Sequence, residues 1–127
     1  MSPRPKVLTT TPLLVVSDLQ RSIDFYGRLG FGEPGIWGEP PCFAMINRDG
    51  LELMLSLTEG AATPQPNGPH GVWDMYIRIA DLDAELAALS QSGVAIDRGP
   101  VTTMYDMREI DVIDPDGYRI CVAQNVE

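Results

Sequence analysis

The chain has 127 residues, of which 44% are hydrophobic and 21% charged, and its formal net charge is −9. This composition is that of one ordinary globular domain, long enough to bury a core without disulfides or structural metals. The acidic balance argues against nucleic acid and anionic membranes as partners, and it fits a cationic small molecule as well as it fits simple solubility.

Cysteine usage and the N-terminus bear on the compartment. Cys42 and Cys121 are far apart in apolar stretches and form no CxxC pair, so we expect buried, reduced thiols. The apolar run 13–16 is too short for a signal peptide or a membrane span. Together these features predict a cytoplasmic protein without a membrane segment.

The first half of the chain begins with a predicted strand and a helix. Residues 7–16 are rich in valine, threonine and leucine, which favours a strand. Ser17 or Asp18 then caps a helix, and Gly30 ends it in a left-handed conformation. The apolar side chains of this helix recur at helical spacing, at Leu19, Ile23 and Tyr26.

Three further strands complete this half. They are predicted at 31–37, 42–47 and 51–57. An Arg48-Asp49-Gly50 turn joins the last two strands as a hairpin. In the strand 51–57, leucines alternate with Glu52, Met54 and Ser56, so we expect the leucine face to pack under the helix and the other face to line a concave cleft.

The second half repeats the first. Residues 70–94 echo residues 7–31 at a constant offset of 63, with Asp81 matching Asp18 and Gly93 matching Gly30. The predicted elements are a strand at 72–79, a helix capped by Asp81, strands at 94–97, 107–113 and 118–124, and a tight turn at 114–117. The fold class is therefore α+β: one domain, 1–127, of two βαβββ halves, 7–58 and 72–125, joined by a linker at 59–71. We expect curved mixed sheets around a cleft, with the helices on the outer face.

Strand alternation selects the side chains that would face this cleft: Thr11, Leu13, Glu52, Met54, Asp74, Tyr76, Arg78, Asp111, Arg119 and Cys121. A carboxylate cannot be buried unpaired without a large cost. Glu52 and Asp74 therefore need a partner, which is either an internal arginine (Arg78 or Arg119), water, or a cationic ligand. The sequence leaves these alternatives open.

Aromatic and charged residues elsewhere add candidates. Trp37, Phe43, Trp73 and Tyr105 could stack on a flat ligand or pack in the core or at an interface. The one histidine, His70, lies in a Gly-Pro-rich loop, where we expect it to be solvated.

Several segments together resemble the vicinal-oxygen-chelate superfamily, which includes glyoxalase I, extradiol dioxygenases, fosfomycin-resistance enzymes and bleomycin-resistance proteins. They are residues 16–26, Leu29-Gly30-Phe31, Met107-Arg108-Glu109-Ile110 and Asp114-Pro115-Asp116-Gly117-Tyr118. The set covers nearly the whole chain and supports the two-half fold. It does not select one activity, because this fold hosts many. The resemblance also implies that Arg108 and Glu109 form a structural pair that fixes the geometry of their strand.

The resemblance also implies where a metal would be bound. Enzymes of the family use one side chain from the first and last strand of each half, typically His or Glu. The matching residues here are Thr11, Asp74 and Cys121, with Met54 or, on a looser alignment, Glu52 as the fourth. Methionine and a neutral threonine hydroxyl are poor ligands for the usual divalent ions, so we expect no metal and no other cofactor, although Glu52, Asp74 and Cys121 form a conceivable site.

The resemblance is greatest to the bleomycin-resistance type. This implies a metal-free binding protein that sequesters a cationic antibiotic in a cleft shared by a homodimer, without catalytic residues. The alternatives are a metal-dependent lyase, isomerase or dioxygenase with atypical ligands, and a regulator or carrier. The expected ligand-binding residues are Thr11, Trp37, Phe43, Glu52, Met54, Asp74, Tyr76, Tyr105 and Cys121.

Overall fold

The computed structural model describes residues 3–57 and 63–126, which form two four-stranded mixed sheets with one helix each. The first half contains β1 (Leu13–Val16), α1 (Leu19–Arg28), β2 (Gly35–Trp37), β3 (Phe43–Arg48) and β4 (Leu51–Leu57). The second contains β5 (Met75–Arg78), α2 (Leu82–Gln91), β6 (Arg98–Thr102), β7 (Met107–Ile113) and β8 (Arg119–Asn125). The strand orders β1-β4-β3-β2 and β5-β8-β7-β6 confirm the predicted pair of βαβββ units.

The two sheets share one pairing pattern. In each, the first strand runs parallel to the last, and the remaining neighbours are antiparallel. Leu13 lies opposite Met54 in the first sheet, and Tyr76 lies opposite Cys121 in the second. Since Leu13 and Tyr76 are separated by the repeat offset, the structural equivalent of Cys121 is Met54 and not Glu52.

The helices begin and end as their sequences predict. Asp18 caps α1 by accepting the Arg21 backbone N–H, and Asp81 caps α2 by accepting that of Ala84, each at 3.0 Å. After the helices, Gly30 and Gly93 have φ of 91° and 76°, a region that favours glycine. Ser17 has another role, because its hydroxyl donates to Asp116 of the other half.

One hydrophobic core includes residues of both halves. On β4, Leu53 and Leu55 are fully buried against α1, and Leu51 and Leu57 pack at the edge of the same cluster. The alternation of leucine with polar residues therefore correctly identified the helix-covered face. The core also includes these residues of the second half: Leu82, Leu89, Ile110, Val112, Ile120 and Val122.

Each helix is joined to the opposite half by a buried polar contact. The Tyr26 hydroxyl on α1 donates to Asp114, after β7, at 2.7 Å. Arg48, at the end of β3, donates to both oxygens of Glu85 on α2 at 2.9 and 2.7 Å, and to the Leu29 carbonyl. We call these two contacts the crossed ties. Because their groups are largely buried, each half depends on the other for hydrogen-bond partners.

Several sequence predictions need correction. The first strand begins at Leu13: the Pro12 carbonyl accepts the Met54 N–H, but Val7 and Leu8 are exposed. The strand predicted at 31–37 is limited to Gly35–Trp37, since the Phe31 N–H bonds back to the Tyr26 carbonyl as α1 ends. Residues 94–97 are not a strand, since the Val94 N–H bonds back to the Leu89 carbonyl as α2 ends. Cys42 is exposed because it lies before β3, whereas Cys121 is buried as predicted.

The linker between the two halves is described in part. Residues 59–62 of the predicted linker lie outside the described residues, and Gly68–His70 in its second part form a short 3₁₀ turn. Within the described ranges, neither helix is long and apolar enough to cross a membrane.

Candidate functional site

The second sheet carries a row of charged and aromatic side chains on the face opposite its helix. We call this the second open face, and the equivalent surface of the first sheet the first open face. Strand pairing places these residues on the second open face: Tyr76, Arg78, Arg98, Met107, Glu109, Asp111, Arg119, Cys121 and Ala123. Glu109 and Asp111 are respectively 0% and 1% exposed, so they need internal partners.

Glu109 has three hydrogen-bond donors. Arg98 donates to one carboxylate oxygen at 3.0 Å, and the hydroxyls of Tyr76 and Tyr105 donate to the other at 2.8 and 2.7 Å. Burial pushes the pKa of Glu109 upward, but the hydrogen bonds from the tyrosines and Arg98 outweigh it, so the pKa lies below its ordinary value. Glu109 is therefore a carboxylate that orients two phenol rings.

Asp111 is bound by two arginines and a tryptophan. Arg98 and Arg119 donate to it at 3.1 and 2.8 Å, and the Trp73 indole N–H donates at 3.2 Å. Arg119 also pairs with Asp97 at 2.9 Å. The two buried carboxylates are thus balanced by two arginines, and the network fixes the Trp73 ring through its polar atom.

Three rings held by this network form what we call the aromatic site: Trp73, Tyr76 and Tyr105. The centroids of Trp73 and Tyr76 are 4.9 Å apart, with ring planes tilted by 56°. Tyr105 is 53% exposed although its hydroxyl is bonded inside the network. Trp73 and Tyr105 border two adjoining cavities of about 650 and 620 Å³, which are large enough for a drug-sized molecule.

The first open face has a different chemistry. It carries Leu13, Trp37, Phe43, Met45, Glu52 and Met54. Trp37 and Phe43 contact each other with centroids 5.6 Å apart, and Trp37 and Leu13 are 54% and 51% exposed. Glu52 is the acidic residue of this surface, and it is half-buried.

The predicted site residues therefore fall on two separate surfaces. Tyr76, Tyr105 and Cys121 lie on or beside the second open face, while Trp37, Phe43, Glu52 and Met54 lie on the first. Thr11 is half-buried just before β1. His70 is exposed at the end of the 3₁₀ turn.

Asp74 has a local structural role. Its carboxylate accepts the backbone N–H groups of Asn67, Gly68 and Arg119 at 2.8, 3.2 and 2.9 Å, which ties the linker to the start of β8. The partners of Asp74 are therefore backbone N–H groups. They are not the arginine side chains, the water or the cationic ligand that the sequence left open.

The residues at the family's metal positions do not fit a divalent ion. Asp74 is engaged by three N–H groups, and Thr11 and Met54 are weak ligands. Burial, followed by the nearby charges of Glu109 and Asp111, raises the pKa of the Cys121 thiol, which opposes the thiolate that a metal requires. Among the described residues, no group of three or more His, Cys, Asp and Glu side chains could hold a metal ion.

The sequence prediction of an Arg108–Glu109 pair is wrong. Neighbours on a strand point to opposite faces, so Arg108 pairs with Asp83 on the helix side at 2.8 Å, while Glu109 pairs with Arg98. Arg98 and the role of Glu109 were both missed. The available signal was the alternation of Glu109 and Asp111 within the apolar strand 107–113, which puts two acids on one face.

Comparison with known proteins identifies the family. The model of the glyoxalase/bleomycin resistance protein/dioxygenase superfamily matches residues 7–122. The chain belongs to this superfamily. A search of curated protein sequences finds no match.

Solved structures of the superfamily share the fold. A bleomycin-binding protein complexed with bleomycin has a TM-score of 0.73 and 21% identity, over 94% of this chain and 99% of that one. The bleomycin resistance determinant encoded on transposon Tn5 has a TM-score of 0.72 and 23% identity, over 94% and 98%. A superfamily member from Sphaerobacter thermophilus has a TM-score of 0.72 and 22% identity, over 94% and 98%. At these identities the likeness shows the fold.

Proposed function

We propose that this protein binds a small molecule at the aromatic site, without a metal and without transforming it. The observation that carries the proposal is the fixation of Trp73, Tyr76 and Tyr105 by buried carboxylates, beside cavities of about 650 and 620 Å³. Rings held in place from below lose little freedom when a flat ligand stacks on them. Such preorganisation favours binding.

Antibiotic sequestration is the specific form of this proposal. It is supported by superfamily membership and by the fold shared with a protein complexed with bleomycin. A cationic group on the ligand would be met by Glu52, because Asp74 is engaged by backbone N–H groups. The chain's charge of −9 also favours a cation. We place the protein in the cytoplasm, where its free thiols Cys42 and Cys121 would stay reduced.

The proposal includes a homodimer. Leu13 and Trp37 on the first open face are more than half exposed, as is Tyr105 at the aromatic site, and a second copy would cover such apolar surface. Sedimentation at micromolar concentration should give about twice the 13.9 kDa chain mass. A monomer at that concentration would contradict this part of the proposal and leave the aromatic site unaffected.

Titration with metal-free bleomycin and a panel of planar aromatic compounds tests the binding function. Binding is measured by calorimetry in the presence of EDTA. We expect it to saturate at one ligand per chain. Trp73→Ala should weaken binding by about tenfold or more, because buried aromatic anchors dominate such sites. Leu8→Ala, which removes an exposed apolar side chain outside both open faces, is the control. The absence of binding by every compound would contradict the aromatic site as a binding site.

Elemental analysis separates this proposal from the metal-dependent enzyme. The purified protein is incubated with Mn²⁺, Ni²⁺, Zn²⁺ or Fe²⁺ and dialysed. We expect less than stoichiometric metal in each case, because the residues at the metal positions are poor ligands or already bonded. Stoichiometric retention that is lost in Asp74→Asn would support a lyase, isomerase or dioxygenase instead.

A further inference from the structure

One arginine of the second open face forms no salt bridge with any acidic residue that the structure describes. Arg78, near the end of β5, has its guanidinium carbon 5.8 Å from the centroid of the Tyr76 ring. Among the described residues it takes part in no salt bridge, although the chain has 18 acidic and nine basic residues. Arg28 on α1 also takes part in none of these salt bridges, so what distinguishes Arg78 is its position beside the aromatic site.

The other charges of this face are already satisfied. Glu109 accepts three hydrogen bonds, Asp111 accepts bonds from two arginines and a tryptophan, and Asp97 pairs with Arg119. These carboxylates are therefore occupied, and Arg78 supplies the charge that a ligand on the second open face would meet. That charge is positive.

The position of Arg78 links it to the aromatic site. It borders the 650 Å³ cavity together with Trp73, Tyr76 and Tyr105. It also borders a cavity of about 370 Å³ between the halves, whose lining from the first half is Thr10, Pro12, Arg48, Asp49 and Leu51. Asp49 pairs there with Arg48 at 3.8 Å. A ring stacked on the aromatic site would thus place a substituent at the guanidinium, whose planar fork matches the oxygens of a carboxylate or sulfonate.

We infer that the ligand of this protein carries an anionic oxygen group, which Arg78 binds while the ligand's planar apolar part stacks on Trp73, Tyr76 and Tyr105. This inference rests on the proposed binding at the aromatic site, and it replaces the cationic antibiotic by an anionic ligand for that site. The carboxylate that would meet a cation, Glu52, lies on the first open face, on the other half of the molecule. The two charges can therefore be tested separately.

Three naphthalene compounds with one ring system and different charges test the inference. They are 1-naphthoate, which is anionic, 1-naphthamide, which is neutral, and 1-naphthylmethylamine, which is cationic. Binding is followed by calorimetry and by tryptophan fluorescence in Trp37→Phe, which leaves Trp73 as the reporter. We expect 1-naphthoate to bind about tenfold more tightly than 1-naphthamide, and its advantage to shrink at high salt.

Variants at Arg78 then test whether this residue causes the preference for the anionic compound. Arg78→Ala should remove the tenfold advantage of 1-naphthoate and leave 1-naphthamide unchanged, and Arg78→Lys should retain part of it. Arg28→Ala removes the same charge from the exposed side of α1 and should change neither affinity. Melting curves check that each variant is folded.

Each outcome decides between the inference and the function on which it rests. Equal binding of 1-naphthoate and 1-naphthamide, or an equal loss of both in Arg78→Ala, would overturn the role of Arg78 and leave the aromatic site intact. Tightest binding of 1-naphthylmethylamine, lost in Glu52→Gln, would assign a cationic ligand instead. If none of the three binds, the aromatic site itself fails, and the inference fails with it.

Discussion

The two open faces occupy equivalent places in the two halves but differ in chemistry. Met45 pairs with Met54 and Asp111 pairs with Cys121, so Met45 and Asp111 are structurally equivalent. By the same pairing, Phe43 is equivalent to Glu109. Strand pairing likewise aligns Leu13 with Tyr76 and Met54 with Cys121. One half therefore presents an apolar surface where the other has buried acids and a tyrosine.

This difference shows which positions the fold constrains. The helix-covered faces of both sheets are mainly apolar, with an arginine near one end of each, and both helices have an aspartate cap and a following glycine. An open face contacts no helix and can vary. A carboxylate on it needs a partner, and Arg98 provides one opposite Asp111, whereas Gly35 lies opposite Met45 in the first sheet.

The largest expected effect is at Glu109. Glu109→Ala removes the acceptor of Arg98, Tyr76 and Tyr105 and should lower the free energy of unfolding by about 3–5 kcal/mol, as when one partner of a buried ion pair is lost. Phe43→Ala, at the equivalent position, removes a half-buried ring and should cost less. Urea unfolding monitored by circular dichroism measures both. Equal costs would show that the charged network does not distinguish the two halves.

The crossed tie at Tyr26 is expected to have an intermediate effect. Tyr26→Phe leaves the buried Asp114 without its side-chain donor and should cost about 1–3 kcal/mol. A double-mutant cycle with Asp114→Ala, which removes the acceptor, isolates the pair by thermal or urea unfolding. Additive losses would contradict a direct contribution of this hydrogen bond.

The helix caps should show that the two halves respond alike where the fold constrains both. Asp18→Ala and Asp81→Ala should each lower the free energy of unfolding by about 1 kcal/mol. Asp24→Ala, on the exposed side of α1, is the control and should stay within about 0.5 kcal/mol. A loss confined to one cap would mean that the two helices contribute unequally to stability.

The smallest expected effect is the acid dependence due to Glu109. Its pKa in the folded protein lies below the ordinary value of 4.5, so its ionised form stabilises the fold above that pH. This contribution should be lost as the pH falls through 4.5 towards the folded-state pKa. The difference in unfolding free energy between the wild type and Glu109→Gln, measured across this range, should therefore narrow on acidification. A constant difference would refute the lowered pKa.

Local sequence signals predicted most of the fold. The cap at Asp81, the leucine alternation of β4 and the stops at Gly30 and Gly93 depend on neighbours in sequence, and all were correct. For α1 the sequence left Ser17 and Asp18 open, and the structure selects Asp18. The strand predicted for residues 7–16 was too long, because composition does not show whether a neighbouring strand is available.

The charged network could not be predicted in the same way. Arg98 meets Glu109 and Asp111 only through the pairing of β6 with β7, which includes a register shift between Arg98 and Val101. The family pattern pointed to Arg108 as the partner of Glu109, but Arg108 lies on the opposite face of the strand and pairs with Asp83. Alternation placed Asp111 and Arg119 in the cleft correctly, but their mutual bond and the partners of Asp74 depend on tertiary contacts.

The crossed ties have a consequence for the assembly of the chain. A chain severed between the halves would give one fragment with Tyr26 and Arg48 and another with Asp114 and Glu85. Each fragment would lack the partners for its interfacial polar groups, and each would hold only part of the common core. Folding and association of the fragments would then be a single concentration-dependent event, and fragment complementation would restore the intact fold.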